Sequence, residues 1–300
     1  MGYNKFHKNY SSIYQVIANR NFNNQVFTDR NMALPLASEL GTSLPQIKNA
    51  VVTTHDQQNV LATEEKKIKL KGYTVSDHFF DVFTWEFTKG NAGSAFKEPN
   101  AIVLTESAAK AFFGNEDPIN KVLKMDNRTD LKVTALVKDP PKNSTLEFDW
   151  LTSFNGNDPE IKASMNEWQN SSWNVFIRVD AGVDTGFLNK NITRIKRAHG
   201  KDDMSSYFVF PMSRWHLYND FTNGINTGGI IEYVRLFSII AVIILLVACI
   251  NFMNLSTARS EKRAREVGIR KTLGSTRQQL ILQYFCESIL LTLIAFLLAV

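Results

Sequence analysis

Two long apolar stretches near the C-terminus dominate the pattern of hydrophobic and polar positions. Residues 236–255 run for 20 positions without a charged side chain, and residues 280–300 contain only one, Glu287. An α-helix rises about 1.5 Å per residue, so such a stretch covers about 30 Å, the thickness of the hydrocarbon core of a bilayer. The pattern therefore predicts two transmembrane helices rather than two buried helices of a soluble core.

The first 229 residues have a different pattern, in which short strand and helix signals alternate. Residues 68–75 alternate apolar and polar side chains with a period near two, which is typical of a half-buried strand. Thr105 can cap a helix that Gly114 ends. The other predicted strands are 13–18, 47–54, 101–104, 121–125, 131–137, 173–179 and 207–210, and the other predicted helices are 33–44 and 183–198. We therefore expect a mixed α/β (α+β) domain followed by transmembrane α-helices.

Basic residues are concentrated between the two apolar stretches. The chain has a formal net charge of +5, and residues 254–280 hold seven basic residues against two acidic ones, so the rest is balanced. An excess of Lys and Arg in a short loop between two spans marks the cytoplasmic side of a membrane. The charge pattern thus predicts that residues 1–229 lie outside the cytoplasm. Because the loop lies close to the membrane on both sides, anchoring explains its charge better than nucleic-acid binding does.

The positions of the cysteines fit a bacterial envelope protein, and the N-terminus bears on how the external domain crosses the membrane. Cys249 and Cys286 both lie in predicted spans, so the external domain has no disulfide. The first residues lack the apolar centre of a secretory signal peptide. Translocation of the external domain then requires a transmembrane helix upstream of Met1, and we expect the sequence to be part of a longer protein.

The sequence shows no pattern of catalytic or metal-binding residues. Its five histidines form no H-x-x-x-H pair, and its two cysteines form no C-x-x-C pair that could complete a zinc site. Neither a G-x-S-x-G elbow nor a G-x-x-x-x-G-K-[ST] phosphate loop occurs. We therefore expect this chain to be no enzyme and to hold no cofactor or metal.

Charge spacing in the basic loop predicts a helix. Glu261 precedes Arg265 by four residues, and Glu266 precedes Arg270 by four. Acid-first pairs at this spacing stabilise a helix. We therefore expect the first membrane helix to continue through Ser260 or beyond.

Apolar residues interrupt the same loop. Val267, Ile269 and Leu273 would be exposed to water unless a partner protein covered them. Gly274 can end a short helix, and Thr276, followed three residues later by a glutamine, predicts a capping box for the next one. The predicted order is a membrane helix, a short cytoplasmic helix, a sharp turn and a second membrane helix.

This region resembles the FtsX-like permease family, membrane subunits related to the MacB and LolC/LolE types of ABC transporter. The similarity runs through INFMNLSTARSEKRAREVGIRKTLGSTRQQLILQYFCESILL, and its core, E-V-G-I-R-K-x-L-G at residues 266–274, is the most recognisable motif of that family. The external domain is similar to the MacB-type periplasmic core domain in the segments FHKNYSSIYQV, SDHFFDVFTWEF and AIVLTESAAKAFFG and in the DPP turn. The resemblance covers nearly the whole chain.

The resemblance implies a fragment of a four-helix membrane permease, with its large periplasmic domain between the first and second helices. Residues 1–229 would be the periplasmic core domain, 230–257 the second span, 258–276 a cytoplasmic coupling segment and 277–300 the start of the third span. The implied ATPase-coupling residues are Arg263, Glu266, Val267, Gly268, Ile269, Arg270, Leu273 and Gly274.

The same resemblance implies partners and a mechanism. ATP would be bound by a partner, a cytoplasmic ABC ATPase dimer, and not by this chain. A second permease copy, in a homo- or heterodimer, and the lipid of the bacterial inner membrane would be the other partners. ATP-driven closure of the ATPases would push the coupling segment and move the periplasmic domain, which is called mechanotransmission.

Two other classes of function stay open at this point. An extracytoplasmic sensor would bind a ligand outside the cell, although a sensor usually follows its last span with a signalling domain rather than a second span. A membrane-anchored enzyme would need the catalytic cluster that the sequence lacks. Within the transporter class, efflux of an antibiotic or peptide, lipoprotein release and control of a cell-wall hydrolase are all consistent with the sequence.

Overall fold

The chain divides into two units, Met1–Ile231 and Glu232–Val300. A computed structural model describes residues 2–23, 25–154, 159–200 and 204–299. The first unit contains the strands and six of the helices of these residues, and the second is made of two long helices. The mixed α/β fold class with transmembrane helices is therefore confirmed.

The strands are numbered β1 to β15 along the chain. They are β1 Ile13–Phe22, β2 Gln25–Asp29, β3 Met32–Ala33, β4 Ile47–Thr53, β5 Gln57–Ala62, β6 Lys67–Val75, β7 Phe87–Lys89, β8 Ala101–Thr105, β9 Val122–Met125, β10 Thr129–Val137, β11 Trp150–Ser153, β12 Ser171–Val179, β13 Ser206–Pro211, β14 Asp220–Thr222 and β15 Ile225–Gly228.

The helices are numbered α1 to α8. They are α1 Pro35–Ser43, α2 Phe79–Val82, α3 Ala92–Ala95, α4 Glu106–Phe113, α5 Pro159–Ser164, α6 Thr185–His199, α7 Ile230–Thr272 and α8 Arg277–Ala299, with 3-10 turns at Tyr10–Ser12 and Met212–Arg214.

Each of the strands and helices listed from the sequence is present, with ends that differ by a few residues. The largest difference is β1, which continues from the predicted 13–18 to Phe22 because it forms a hairpin with β2. Thr105 caps α4 as predicted, since its Oγ1 accepts a hydrogen bond from Ala108 N at 3.3 Å. Gly114 ends α4 with a φ of +61°, a backbone conformation that favours glycine.

Thirteen strands of the described residues join one sheet in the order β11-β8-β10-β9-β5-β6-β4-β12-β1-β13, with β2, β3 and β7 as side pairs. β11 also pairs in parallel with β6, so the strands β8, β10, β9, β5, β6 and β11 close into a ring. The rest of the sheet is antiparallel, with β12 between β1 and β4.

The ring closes where strands β6 and β11 approach each other closely at Gly72. Gly72 lies opposite Trp150 across the β6–β11 pair. A Cβ atom at Gly72 would lie 2.2 Å from Trp150 Cδ2 and 2.3 Å from the Trp150 backbone oxygen. Only glycine therefore lets the two strands pair while the indole stays fully buried.

Three apolar clusters fill the first unit. α1 and α6 cover one face of the antiparallel strands, where buried side chains such as Leu40 and Ile192 pack. The opposite face carries an aromatic cluster that includes Phe83 and Trp215. The third cluster surrounds Trp150 at the closed ring and includes α4. The antiparallel strands are thus buried on both faces. A polar side chain on either face loses contact with water and therefore needs a hydrogen-bond partner.

Candidate functional site

α7 and α8 are the helices of the described chain that are long and apolar enough to cross a membrane, over Ile230–Ser260 in α7 and Arg277–Ala299 in α8. Large apolar side chains project along both, as Phe237 in α7 and Phe296 in α8 do. Such long exposed apolar surfaces are typical of lipid contact.

The predicted coupling segment, residues 258–276, comprises the end of α7 and the turn that follows it. The helix continues without a break from Ile230 to Thr272, so the predicted separate short helix is wrong. The only glycine within this helix is Gly268, and one glycine weakens a helix by about 1 kcal/mol without ending it. The predicted acid-first pair is formed, with Glu266 Oε1 3.5 Å from Arg270 Nη2. The ion pair between Glu266 and Arg270 therefore helps α7 to continue as a helix through the motif.

A glycine turn ends α7 as predicted. Gly274 has a φ of +94°. Its N–H donates to Lys271 O at 3.2 Å, and Ser275 N–H donates to Arg270 O at 3.1 Å. These two bonds form a Schellman motif, which supplies hydrogen-bond donors to carbonyls that have no partner within the helix.

α8 begins directly after this turn. Thr276 N–H donates to Gln279 Oε1 at 3.1 Å, which is one half of the predicted capping box. The backbone of Leu280 then donates to Thr276 O at 3.3 Å. Local hydrogen bonds thus fix the sharp reversal between the two long helices.

The three apolar motif residues do not share one face. Ile269 and Leu273 are 56% and 81% exposed and stand one turn apart. Val267 is only half-exposed, and its position two residues before Ile269 puts it about 200° away around the helix. The surface available to a partner is therefore formed by Ile269 and Leu273, with Glu266 on the same stripe.

Arg270 links α7 to α8. Its Nη1 donates to Gln283 Oε1 at 2.8 Å, in addition to the contact of Nη2 with Glu266. The side chain is 38% exposed, so it is accessible as well as engaged. Sequence reasoning missed Gln283; the available signal was a glutamine nearly two turns into α8, within its apolar part.

Two further motif residues differ in what the structure describes. Gly268 is exposed, and no atom lies within 4 Å of the place its Cβ would take. Arg263 lies on α7, but its side chain is outside the described part, as are those of Glu261 and Arg265. The ion pair between Glu261 and Arg265 stays a prediction.

Within the described residues, no group of three or more His, Cys, Asp or Glu side chains could hold a metal ion. The histidines have separate surroundings: His7 is buried among aromatic rings, whereas His78 pairs with Asp81 in an exposed contact of 2.8 Å. His199 stacks on Trp168 with ring centroids 3.8 Å apart. Among the described residues, the histidines are therefore not gathered into one cluster.

A mixed α/β domain followed by two helices that are long and apolar enough to span a bilayer is the architecture of a membrane protein. Residues 3–195 match the family model of the MacB-like periplasmic core domain, and residues 238–300 match that of the FtsX-like permease C-terminal region. The chain therefore belongs to the family of FtsX-like ABC transporter permeases that carry a MacB-like periplasmic core domain.

Curated relatives agree with this assignment. The macrolide export ATP-binding/permease protein MacB of Aggregatibacter actinomycetemcomitans is 25% identical over 232 residues, which cover 74% of this chain and 33% of that protein. An uncharacterized ABC transporter permease of Bacillus subtilis (strain 168), YknZ, is 27% identical over 256 residues, which cover 83% of this chain and 59% of that protein. The chain thus spans about a third of MacB and three fifths of YknZ.

Solved structures share the fold of the external domain. A domain of a permease protein from Porphyromonas gingivalis superimposes with a TM-score of 0.59 at 19% identity, over 68% of this chain and 92% of that one. The extracellular domain of YknZ gives a TM-score of 0.50 at 12% identity, over 66% and 99% of the two chains.

Family membership settles the general character of the protein. It is a membrane permease with a periplasmic or extracellular core domain, and the permease part is not itself an enzyme. ATP hydrolysis in this family belongs to a separate domain or partner.

Proposed function

We propose that this permease transmits movement from a cytoplasmic ABC ATPase dimer to its external domain, in the service of efflux or of lipoprotein or peptide export. The continuity of α7 carries this proposal. A helix of 43 residues is about 64 Å long, about twice the thickness of the hydrocarbon core. Only Gly229 separates its first residue from β15. One continuous helix therefore follows the last strand of the external domain in the chain and extends into the proposed coupling segment.

The membrane topology that we propose keeps residues 1–229 outside and residues 258–276 in the cytoplasm, with spans at 230–257 and 277–300. The cytoplasmic part is then the end of α7 and the following turn. Its basic residues lie on the side that the positive-inside rule requires. A second permease copy in the inner membrane would complete the assembly around the ATPase dimer.

Ile269 and Leu273 form the proposed docking surface. Both are apolar and largely exposed, and they lie outside the apolar span that ends at Ser260. A groove on the ATPase would remove them from water, with a gain of roughly 1.5–3 kcal/mol for each fully buried side chain. Gly268 would permit close approach, since the space around it is open.

The charged motif residues would orient the contact. Arg270 already holds Glu266 and Gln283, so a push on the end of α7 also reaches α8. Its exposed fraction leaves donors for an acidic residue of the ATPase. Arg263 would add a second basic contact on the same cytoplasmic segment, and Gly274 would keep the turn sharp.

Gly268→Trp tests the docking surface. Full-length protein is purified from its native membrane, and co-purified proteins are identified by mass spectrometry. We expect the wild type to bring along an ABC ATPase and Gly268→Trp to lose it, because the indole occupies the space into which the partner must come.

Gly41→Trp is the matched control. Gly41 is also an exposed helical glycine with no atom within 4 Å of its Cβ position, but it lies in α1 of the external domain. It should retain the ATPase. Undiminished ATPase recovery with Gly268→Trp would refute the docking surface, and absence of any nucleotide-hydrolysing protein from the wild type would favour the sensor function.

A further inference from the structure

Three polar side chains interrupt the buried face of the antiparallel strands. On β1, Ile13, Gln15 and Ile17 point to the same face, and their exposed fractions are 0%, 4% and 0%. On the neighbouring strands, Asn174 of β12 lies opposite Thr53 of β4. The aromatic cluster fills the rest of this face, so apolar residues would be expected at all three positions.

These polar groups satisfy each other only in part. Gln15 Nε2 donates to Asn174 Oδ1 at 3.1 Å, and Asn174 Nδ2 donates to Thr54 O at 3.3 Å. Within the described residues, Gln15 Oε1 has no hydrogen-bond partner. The amide oxygen of Gln15 is therefore available as an acceptor where this residue lines a pocket.

The polar positions border a cavity of about 210 Å³ inside the external domain. Its wall includes Gln15, Arg30, Tyr73, Asn174 and Trp215. Gln15, Tyr73 and Trp215 are each less than a tenth exposed. Typical ligand pockets measure roughly 300–1,000 Å³, so this cavity suits a small ligand or the end of a larger one.

Arg30 supplies a positive charge without a counter-charge. None of the described carboxylates lies within ion-pair distance of its guanidinium, and none of the described groups forms a hydrogen bond with it. Asp29, the preceding residue in the sequence, already has other partners. Its Oδ2 lies 2.9 Å from Arg20 Nε, and its Oδ1 accepts a hydrogen bond from Asn31 N at 2.9 Å. Burial lowers the pKa of the Arg30 guanidinium from its usual value. A partly desolvated charge that lacks a partner destabilises the fold, and an anion would remove that penalty.

Tyr73 adds a neutral donor to the same wall. Its hydroxyl has no hydrogen-bond partner among the described residues. Burial, with smaller contributions from the negative charges of Asp56 and Glu147, raises the pKa of Tyr73 well above its usual value. The phenol therefore keeps its proton and can donate it in a hydrogen bond.

We propose that this cavity binds the carboxylate of an amino acid, either free or as the C-terminal residue of a peptide. The planar guanidinium of Arg30 matches a carboxylate through two parallel hydrogen bonds, and the Tyr73 hydroxyl can donate a third. Phe176 and Trp215 provide an apolar wall for the ligand's side chain. Asp56, which also lines the cavity, disfavours a doubly charged phosphate and favours a ligand that carries an ammonium group.

Calorimetry on the full chain in detergent tests the site. The probes are the 20 amino acids, the dipeptide Ala-Ala, its C-terminal amide, and inorganic phosphate. We expect saturable binding of at least one carboxylate probe. Binding of free amino acids would identify a metabolite site, whereas binding of Ala-Ala alone would identify a site for peptide ends. In either case the amide should bind at least about tenfold more weakly, because it lacks the charge that Arg30 requires.

Arg30→Gln should weaken binding of the best carboxylate at least about tenfold, and Arg128→Gln, at an exposed arginine in a turn, should not change it. Without ligand, Arg30→Gln should raise the melting temperature, since it removes a partly desolvated charge that has no ion-pair partner among the described residues. Tyr73→Phe removes only the hydroxyl and should weaken binding of the same carboxylate severalfold. This variant tests the site independently if Arg30→Gln folds poorly. Equal affinity of the wild type and both variants, stronger binding of phosphate than of any carboxylate, or no saturable binding of a carboxylate would overturn the proposal.

Discussion

His7 shows how one buried residue makes the external domain sensitive to pH. It is 2% exposed, and its ring contacts those of Phe6 and Trp85. Its Nδ1 accepts a hydrogen bond from Thr84 N at 3.1 Å. Burial lowers the pKa of His7 from 6.5 to about 4, and the hydrogen bond that a protonated Nδ1 can donate to Thr84 O, also 3.1 Å away, opposes part of this shift. The folded domain therefore holds a neutral imidazole at physiological pH.

Acid should destabilise the domain through this residue. Between pH 6.5 and 4 the unfolded chain binds a proton at His7 that the folded chain does not bind, so the free energy of unfolding falls as the pH falls. The contribution of neutral His7 to the free energy of unfolding is fully present above pH 6.5. About 3 kcal/mol of this contribution is lost by pH 4.

Urea unfolding at pH 7.5 and pH 4.5, followed by tryptophan fluorescence, measures this loss. All five tryptophans lie in the external domain, so the signal reports on that domain alone. His7→Asn keeps an acceptor for Thr84 and should show a smaller loss. His78→Asn, at an exposed histidine, should behave as the wild type does. An unchanged pH dependence in His7→Asn would contradict the assignment.

At the scale of elements, the pairing of β6 with β11 depends on one glycine. Gly72→Ala would bring a Cβ to within 2.3 Å of a backbone oxygen, which no rotamer change can relieve. Overpacking of this kind costs about 1–3 kcal/mol. We expect the free energy of unfolding to fall by that amount.

The same fluorescence-detected unfolding measures the effect of Gly72→Ala. Gly41→Ala is the control, because Gly41 lies in α1 with free space around it. That substitution should stabilise the domain by up to about 1 kcal/mol through helix propensity. Equal stability of Gly72→Ala and the wild type would show that the ring closes without the close approach.

At the scale of the whole molecule, the proposed topology puts the two ends of α7 on opposite sides of the membrane. Cys249 and Cys286 are replaced by serine, and single cysteines are introduced as Lys142→Cys and Lys271→Cys, both at exposed positions. A membrane-impermeant maleimide should label Lys142→Cys in spheroplasts. It should label Lys271→Cys only after lysis, because the proposed coupling segment faces the cytoplasm. The reverse pattern would invert the topology and remove the basis for ATPase docking.

Local rules predicted most helices and the longer strands. Thr105 and Gly114 bound α4 as expected, because a cap and a left-handed glycine act within a few residues. The short strands β2, β3, β7, β14 and β15 were missed, because segments of two to five residues carry too few positions to show a period. β5 and β11 were missed too, since their pairing with β6 depends on residues that are distant in the chain.

The sequence by itself determined the two membrane spans, the basic segment between them and the motif at residues 266–274, since each depends on composition or on spacing within one turn of helix. Only the tertiary structure decided that this motif continues α7 and that Gln283 of α8 holds Arg270. It alone brought Gln15, Arg30 and Tyr73 to one cavity. The physical reason is that side chains far apart in sequence meet only through strand pairing and packing, which no local pattern encodes.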